Sequence, residues 1–121
     1  MSTNGIVDDL SIGDDTVLWR AILPAWIVPG PTGPRASSAA FKSEEVSVFI
    51  AAETTPQELL GRLPPGSRLQ WLTAGDVRAV DCIIVRDANP PGHALILRRD
   101  APGQTLTGGQ AKRLQGRAQW V

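Results

Sequence analysis

The sequence predicts an α+β domain, in which two or three helices lie against a small antiparallel or mixed sheet of about five strands. Three observations lead to this fold class. Several short runs are rich in β-branched and aromatic residues, helix-start signals stand between them, and the connections are local. A doubly wound nucleotide-binding fold is not expected, because no glycine-rich turn joins a strand to a helix in the required way.

The first half of the chain predicts an arm and two strands. Residues 1–15 are expected to form an irregular or weakly ordered arm, and residues 16–121 a single domain. Residues 16–22 and 45–51 are strand-like, and the second run places Val46, Val48 and Ile50 on one face. Residues 29–34 predict a loop, because five of these six residues are proline or glycine.

The clearest helix-start signal is the sequence Thr55-Pro56-Gln57-Glu58. The threonine hydroxyl can accept a hydrogen bond from a free backbone amide, proline fits the first helical position, and the glutamate stands where a capping box needs it. A helix is therefore expected over residues 55–63.

The second half of the chain predicts strands and a terminal helix. A weaker cap at Thr73 follows a short strand at 69–72 and predicts one or two helical turns. Cys82–Arg86 and His93–Arg98 predict a central antiparallel hairpin, because their connection is too short for a crossover. Residues 107–117 predict a helix whose apolar stripe consists of Ala111, Leu114, Ala118 and Val121.

Composition excludes several kinds of site. One cysteine and one histidine exclude an internal disulfide, a cysteine-based zinc site and a two-histidine metal site, so we expect no metal and no cofactor. The first fifteen residues carry four acids and no Lys or Arg, unlike a secretory leader, and no apolar run approaches the ~20 residues that span a bilayer. We expect a cytoplasmic protein without membrane attachment, with which the unpaired cysteine agrees.

Charge is balanced overall, with 12 Lys+Arg against 12 Asp+Glu, but it is unevenly placed. Acids gather in residues 1–15, and bases gather in residues 98–121. The two ends either pair with each other in the fold or present a small basic face to an acidic partner. Nucleic-acid binding is not expected, because nucleic-acid binders usually carry a stronger basic excess.

Arg20 is the first candidate binding residue. Strand alternation places it on the same face as Leu18 and Ile22, and a buried guanidinium needs a carboxylate or several carbonyls. The pattern therefore indicates a buried structural contact, a side chain reaching solvent at a sheet edge, or an anchor for a ligand.

Two cations and two hydroxyls follow the breaker run and are further candidates for holding a phosphate or carboxylate. They are Arg35, Ser37, Ser38 and Lys42. Their spacing does not match the phosphate-loop motif, and serines after such a run also commonly cap turns.

His93 is the catalytic candidate, because any histidine acid–base chemistry at neutral pH must pass through it. With Asp87 across the hairpin and Ser37 or Ser38, a serine–histidine–acid triad can be written. The Gly-x-Ser-x-Gly motif of a nucleophile elbow is missing. Cys82 is expected to be a buried core residue, because its neighbours are aliphatic.

Four tryptophans are many for this length. Trp19 and Trp71 fit the core, whereas Trp26 and Trp120 are harder to bury and fit either the core or an interface. The predicted interface consists of Trp26, Lys112, Arg113, Arg117 and Trp120. Within it, we expect Trp120 to pack on the protein's own core and the three cations to face solvent or an acidic partner.

Several segments resemble a group of short bacterial proteins to which no activity is attached. They are Leu18-Trp19-Arg20, residues 37–42, Val46-Ser47-Val48 and His93-Ala94-Leu95. The resemblance implies a bacterial origin and a single stand-alone domain.

An early strand with Arg20, followed by a segment with Ser37 and Ser38, also resembles small ADP-ribosyltransferase-like toxins, including RES-type NAD-degrading ones. That resemblance implies that Arg20 holds an NAD phosphate. The sequence departs from the family pattern, because no glutamate follows Glu58 and the chain has no tyrosine.

The leading hypothesis is a small non-catalytic interaction domain, an adaptor or accessory subunit of a larger protein partner. The alternative is an ADP-ribosyltransferase-like or other NAD- or nucleotide-acting enzyme that uses Arg20, Ser37, Ser38 and His93. The enzyme needs these side chains around one cleft, whereas the interaction domain needs an exposed apolar patch. The sequence does not decide the oligomeric state.

Overall fold

The computed structural model describes residues 6–87 and 89–121. These residues form eight strands, three α-helices and three short 3-10 helices. The strands are β1 (Val17–Ile22), β2 (Ile27–Gly30), β3 (Gly33–Ala36), β4 (Val46–Ile50), β5 (Arg68–Thr73), β6 (Cys82–Arg86), β7 (His93–Arg98) and β8 (Gln119–Trp120). The helices are α1 (Pro56–Leu60), α2 (Ala74–Arg78) and α3 (Gly108–Arg117), and the 3-10 helices span Pro24–Trp26, Ser38–Phe41 and Ala51–Glu53.

Six strands form the main sheet in the order β6-β7-β4-β1-β5-β8, and all neighbouring pairs are antiparallel. This confirms the predicted α+β class. The main sheet has one strand more than the sequence predicted, because the chain leaves α3 and pairs Gln119 and Trp120 with β5. Among the described residues, no helix is long and apolar enough to cross a membrane.

The strand register divides the sheet into two faces. Leu18 of β1 lies opposite Ile50 of β4 and Leu72 of β5, and all three are buried. Facing strand residues point to the same side of a sheet, so these belong to one face, which we call the core face. Apolar residues of α2 and α3 join them in one buried cluster, among them Val77 and Leu114.

The predicted loop at residues 29–34 is wrong. Strands β2 and β3 form a hairpin in which Pro29 lies opposite Pro34. Proline is tolerated because this two-stranded ribbon stands apart from the main sheet. Its turn depends on glycine: Gly33 has φ +118°, and a Cβ on Gly30 would lie 2.8 Å from the Gly33 carbonyl oxygen.

The predicted helix starts are confirmed, but one helix is shorter than expected. Thr55 Oγ1 accepts a hydrogen bond from the Glu58 amide at 3.2 Å, yet α1 ends at Leu60 and not at residue 63. The Glu58 carboxylate accepts a hydrogen bond from the Thr54 hydroxyl at 3.4 Å. It therefore does not make the return hydrogen bond to the Thr55 amide that would complete a capping box. Complete capping boxes begin the other two helices, at Thr73 and Thr107.

The described part of the N-terminal arm packs against the sheet edge. The Asp9 amide donates to the Ile84 carbonyl at 2.8 Å, and Asp8 Oδ1 accepts from the Ile84 amide at 3.0 Å. Arg78 of α2 binds Asp8 at 2.8 Å and Asp14 at 2.7 Å. These N-terminal acids therefore pair with α2, and together they close the β6 edge against further strands.

Trp120 packs against the core cluster, and Val121 does not. The predicted apolar stripe is wrong at Val121, which is 60% exposed, because α3 ends at Arg117. The Trp120 ring lies 4.1 Å from the Arg68 guanidinium, and its Nε1 donates to the Pro34 carbonyl at 3.0 Å. Trp120 thus joins the β2–β3 hairpin to the sheet.

Removal of Trp120 and Val121 together is expected to lower the free energy of unfolding by about 2 kcal/mol, because a large half-buried ring and its hydrogen bond are lost. Removal of Val121 alone is the control and should cost much less. Chemical denaturation measures both. Equal stability of the two truncated chains would contradict the packing role of Trp120.

The Asp8 contacts predict a pH dependence of stability. Burial opposes ionisation of Asp8, but hydrogen bonds from Arg78 and the Ile84 amide outweigh it and hold the pKa of this carboxyl below its usual value. A lowered pKa in the folded state stabilises the fold above the unfolded pKa, and this contribution is lost as pH falls through the folded pKa.

Asp8→Asn is therefore expected to be less stable than the wild type at pH 7, with a difference that shrinks as the pH falls from about 5 to about 2. Asp15→Asn, at an exposed position, is the control. Denaturation midpoints across this range measure the effect. A difference that is the same at both ends of the range would contradict it.

Candidate functional site

Arg20 is buried on the core face, where it is 8% exposed. Its Nε and Nη2 donate to the Ala40 carbonyl, and its Nη1 donates to the Ser47 carbonyl at 2.9 Å. The ring of Trp26 lies 5.2 Å from the guanidinium carbon. Of the partners that the sequence predicted for a buried guanidinium, the structure shows two carbonyls and no carboxylate among the described residues.

The position of these carbonyls explains why a charge is tolerated there. Strands β1 and β4 pair at Leu18–Ile50 and Trp19–Phe49, and the Arg20 guanidinium then bonds the Ser47 carbonyl further along β4. Burial lowers the pKa of Arg20 to about 10, so the side chain remains charged at neutral pH. Its guanidinium donors bind the protein's own backbone. Of the alternatives predicted for Arg20, the structure therefore shows the buried structural contact.

The other predicted ligand-binding residues lie on the surface near the 3-10 helix Ser38–Phe41. Ser37 caps this helix, with its Oγ accepting from the Ala39 amide at 3.2 Å. Arg35 lies on β3 and Lys42 follows the helix, and both are exposed. The Ser37 hydroxyl thus has the turn-capping contact that the sequence offered as the alternative to ligand binding.

His93 begins β7 on the opposite side of the sheet from Arg20. Its Nδ1 lies 2.8 Å from Asp87 Oδ2, and its ring centroid lies 5.2 Å from that of Phe49. Phe49 faces both His93 and Trp19, and Trp19 precedes Arg20 in the strand. Successive strand residues point to opposite faces, so Arg20 and His93 do not share a cleft.

Cys82 is fully buried, as expected. Burial, together with the nearby carboxylate of Asp81, raises the pKa of its thiol to about 11. The thiol is therefore protonated and unreactive at neutral pH. Within the described part of the chain, no group of three or more His, Cys, Asp or Glu side chains could hold a metal ion.

The second face of the sheet carries an aromatic row that the sequence analysis missed. Trp19 lies directly between Trp71 of β5 and Phe49 of β4, and Leu95 of β7 lies on the same face. All four are half-buried, and none packs against the core cluster. We call the surface formed by Trp19, Phe49, Trp71 and Leu95 the aromatic face.

This placement changes the roles predicted for Trp19 and Trp71. The expectation that Trp19 and Trp71 lie in the core is wrong, because alternation in β1 gives the core face to Leu18 and Arg20. Trp26 and Trp120, in contrast, pack against the core cluster. The signal was present in the sequence: both faces of strand 17–22 carry large apolar residues, which is typical of a strand with two contact surfaces.

The strand residues that surround the aromatic face include no Asp, Glu, Lys or Arg. These residues are Val17, Ala21, Ser47, Leu69, Thr73, Ile83, Val85, His93 and Leu97. Leu69, Ile83 and Leu97 are buried although they lie outside the core cluster, and α1 packs against β5. The centre of this face is therefore half-buried, apolar and free of Asp, Glu, Lys and Arg.

The predicted C-terminal cations separate into two groups. Arg117 binds Asp76 of α2 at 3.1 Å, so it has a partner within the chain. Lys112 and Arg113 are exposed, and Arg113 lines a cleft of about 350 Å³ beside the start of α3. The cations of α3 do face away from the core, as expected.

The chain matches no protein-family model, no curated protein and no solved structure. The resemblances to short bacterial proteins and to ADP-ribosyltransferase-like toxins remain predictions.

Arg20→Lys is expected to lower the free energy of unfolding by about 2–3 kcal/mol, because one ammonium cannot replace three guanidinium nitrogens on two carbonyls. Arg62→Lys, at an exposed position, is the control and should stay within about 0.5 kcal/mol. Denaturation midpoints measure both variants. Stability unaffected by Arg20→Lys would show that these hydrogen bonds do not support the fold.

Proposed function

We propose that the protein is a non-catalytic interaction domain, an adaptor or accessory subunit, and that its docking surface is the aromatic face. The observation that carries the proposal is the half-buried row of Trp19, Trp71 and Phe49, which lies outside the core. Rigid aromatic side chains are the commonest anchors of protein interfaces. Their burial costs little conformational entropy, because they have few rotatable bonds.

The chemistry of the face selects the partner. The strand residues of this face include no Asp, Glu, Lys or Arg, and the Asp87 carboxylate beside it is paired with His93, so the partner presents a mainly apolar surface. Five strands of this length make a face about 24 Å wide and about 20 Å long. The area of this face, roughly 480 Å² from these two lengths, is smaller than the ~800 Å² per partner of a stable interface, so a partner that contacts this face alone would bury too little. A larger protein that also contacts the rim meets the requirement.

The separation of Arg20 and His93 favours this proposal over the enzyme alternative. The alternative requires both residues, with Ser37 and Ser38, around one NAD or nucleotide. Arg20 is buried and bound to Ala40 and Ser47, whereas His93 lies on the other face. The contact between His93 and Asp87 favours an acid–base role for His93, and this role is tested separately. A bacterial, cytoplasmic setting belongs to the proposal on the sequence grounds given above.

Leu95→Glu tests the docking surface, with Leu10→Glu as the matched control, because Leu10 is 79% exposed and lies outside the strands. A photoreactive amino acid at position 95 is expected to cross-link to a larger host protein, and one at position 10 is not. With that partner purified, Leu95→Glu should weaken binding at least about tenfold, because a carboxylate would be buried in an apolar interface.

Equal binding of the Leu95→Glu and Leu10→Glu variants would contradict the assignment of the aromatic face. Cross-linking to second copies alone would replace the larger partner with a homodimer. Circular dichroism and denaturation establish that both variants fold, so that loss of binding is not loss of structure.

Incubation with NAD tests the enzyme alternative separately. We expect no nicotinamide release above a buffer control. Release that disappears in His93→Ala, while this variant remains folded, would overturn the non-catalytic proposal.

A further inference from the structure

A second surface differs chemically from the aromatic face, because arginines line it. The cleft of about 350 Å³ lies between the ends of the β6–β7 hairpin and the first turn of α3. Its lining residues are Asp81, Arg98, Arg99, Asp100, Thr107, Gln110 and Arg113. Three guanidinium groups from two separate elements therefore converge on one concave space.

The contacts of the three arginines show which of them are available to a ligand. Arg98 gives Nε and Nη2 to Asp100 at 3.1 and 2.9 Å, so these two charges offset each other. Arg99 uses Nη2 on the Cys82 carbonyl, and Arg113 uses Nε on the Gly109 carbonyl. The remaining guanidinium nitrogens of Arg99 and Arg113 have no hydrogen-bond partner among the described residues, which leaves several donors free for a ligand.

The backbone beside these arginines is open to close approach. α3 begins with Gly108 and Gly109, and a Cβ at Gly108 would meet nothing within 4 Å. A Cβ at Gly109 would lie 3.7 Å from Nη2 of Arg113, so this guanidinium group stands beside the first helical turn. The positive end of the helix dipole adds to the guanidinium charges at this position.

We propose that this cleft binds the phosphate group of a small-molecule ligand through Arg99 and Arg113. Arginine forks bind phosphate oxygens strongly, and a phosphate offers oxygens in several directions, as donors from two elements require. A planar carboxylate offers only two oxygens. A volume of about 350 Å³ lies at the lower end of the range for small-molecule sites, so the cleft has room for more of the ligand than its phosphate.

Substitution of Asp81 tests the proposal in the opposite direction, because it should strengthen phosphate binding and not weaken it. It lines the cleft, and its carboxylate opposes an anion there. Its φ of 60° lies in the left-handed region, which asparagine also adopts readily, so Asp81→Asn removes the charge and keeps the backbone. This site is independent of the proposed docking function, because none of its lining residues belongs to the aromatic face.

The experiment is a titration with inorganic phosphate at constant ionic strength, followed by the amide NMR signals of Gly108 and Gly109. We expect saturable shifts of both signals, and chloride at the same ionic strength should not reproduce them. Arg113→Gln should weaken binding about tenfold, and Asp81→Asn should strengthen it several-fold. Lys112→Gln is the matched control, because Lys112 is an exposed neighbour on the same helix and does not line the cleft.

Three results would overturn the proposal. They are shifts that never saturate, equal weakening by Lys112→Gln and Arg113→Gln, and unchanged or weaker binding in Asp81→Asn. If phosphate binds as expected, a comparison of phosphate monoesters of increasing size measures how much more of the ligand the cleft accepts.

Discussion

The buried guanidinium of Arg20 is the constraint on which the arrangement of the domain depends. Three segments distant in sequence meet at this one side chain: strand β1, the carbonyl of Ala40, and the carbonyl of Ser47 on β4. A buried cation without hydrogen bonds would be strongly unfavourable, and so would the buried Ala40 carbonyl without a donor. Each group therefore requires the other, and their contact fixes where the segment 37–42 lies over the sheet.

The consequence for function is a division of the sheet into an occupied and an available face. The core face holds Arg20, the residues of α2 and α3, and the tryptophans Trp26 and Trp120, so its contacts are made within the chain. The other face presents aromatic and aliphatic side chains that no comparable layer of helices covers in the described residues. This asymmetry supports the proposal that the domain stabilises itself on one side and binds a partner on the other.

Local features were predictable from the sequence, and long-range ones were not. Strand alternation and threonine caps at Thr55 and Thr73 depend on a few neighbouring residues, and the structure has them. The burial of Arg20 followed from its neighbours Leu18 and Ile22, but its partners are 20 and 27 residues away and carry no sequence signal. The β2–β3 hairpin was missed because proline and glycine suit both a loop and a ribbon outside the main sheet. The aromatic face was missed because Trp19 is apolar and so resembles a core residue, and only the register shows which face it occupies.

The most direct test of the Arg20 account is hydrogen exchange at its Nε–H, observed by nitrogen-edited NMR of the intact protein. The hydrogen bond to Ala40 and the burial of the side chain predict exchange as slow as that of amides within the sheet. The Nε–H of exposed Arg62 is the internal reference for free exchange. Exchange of the Arg20 Nε–H as fast as that of Arg62 would contradict a buried, hydrogen-bonded guanidinium at the centre of this fold.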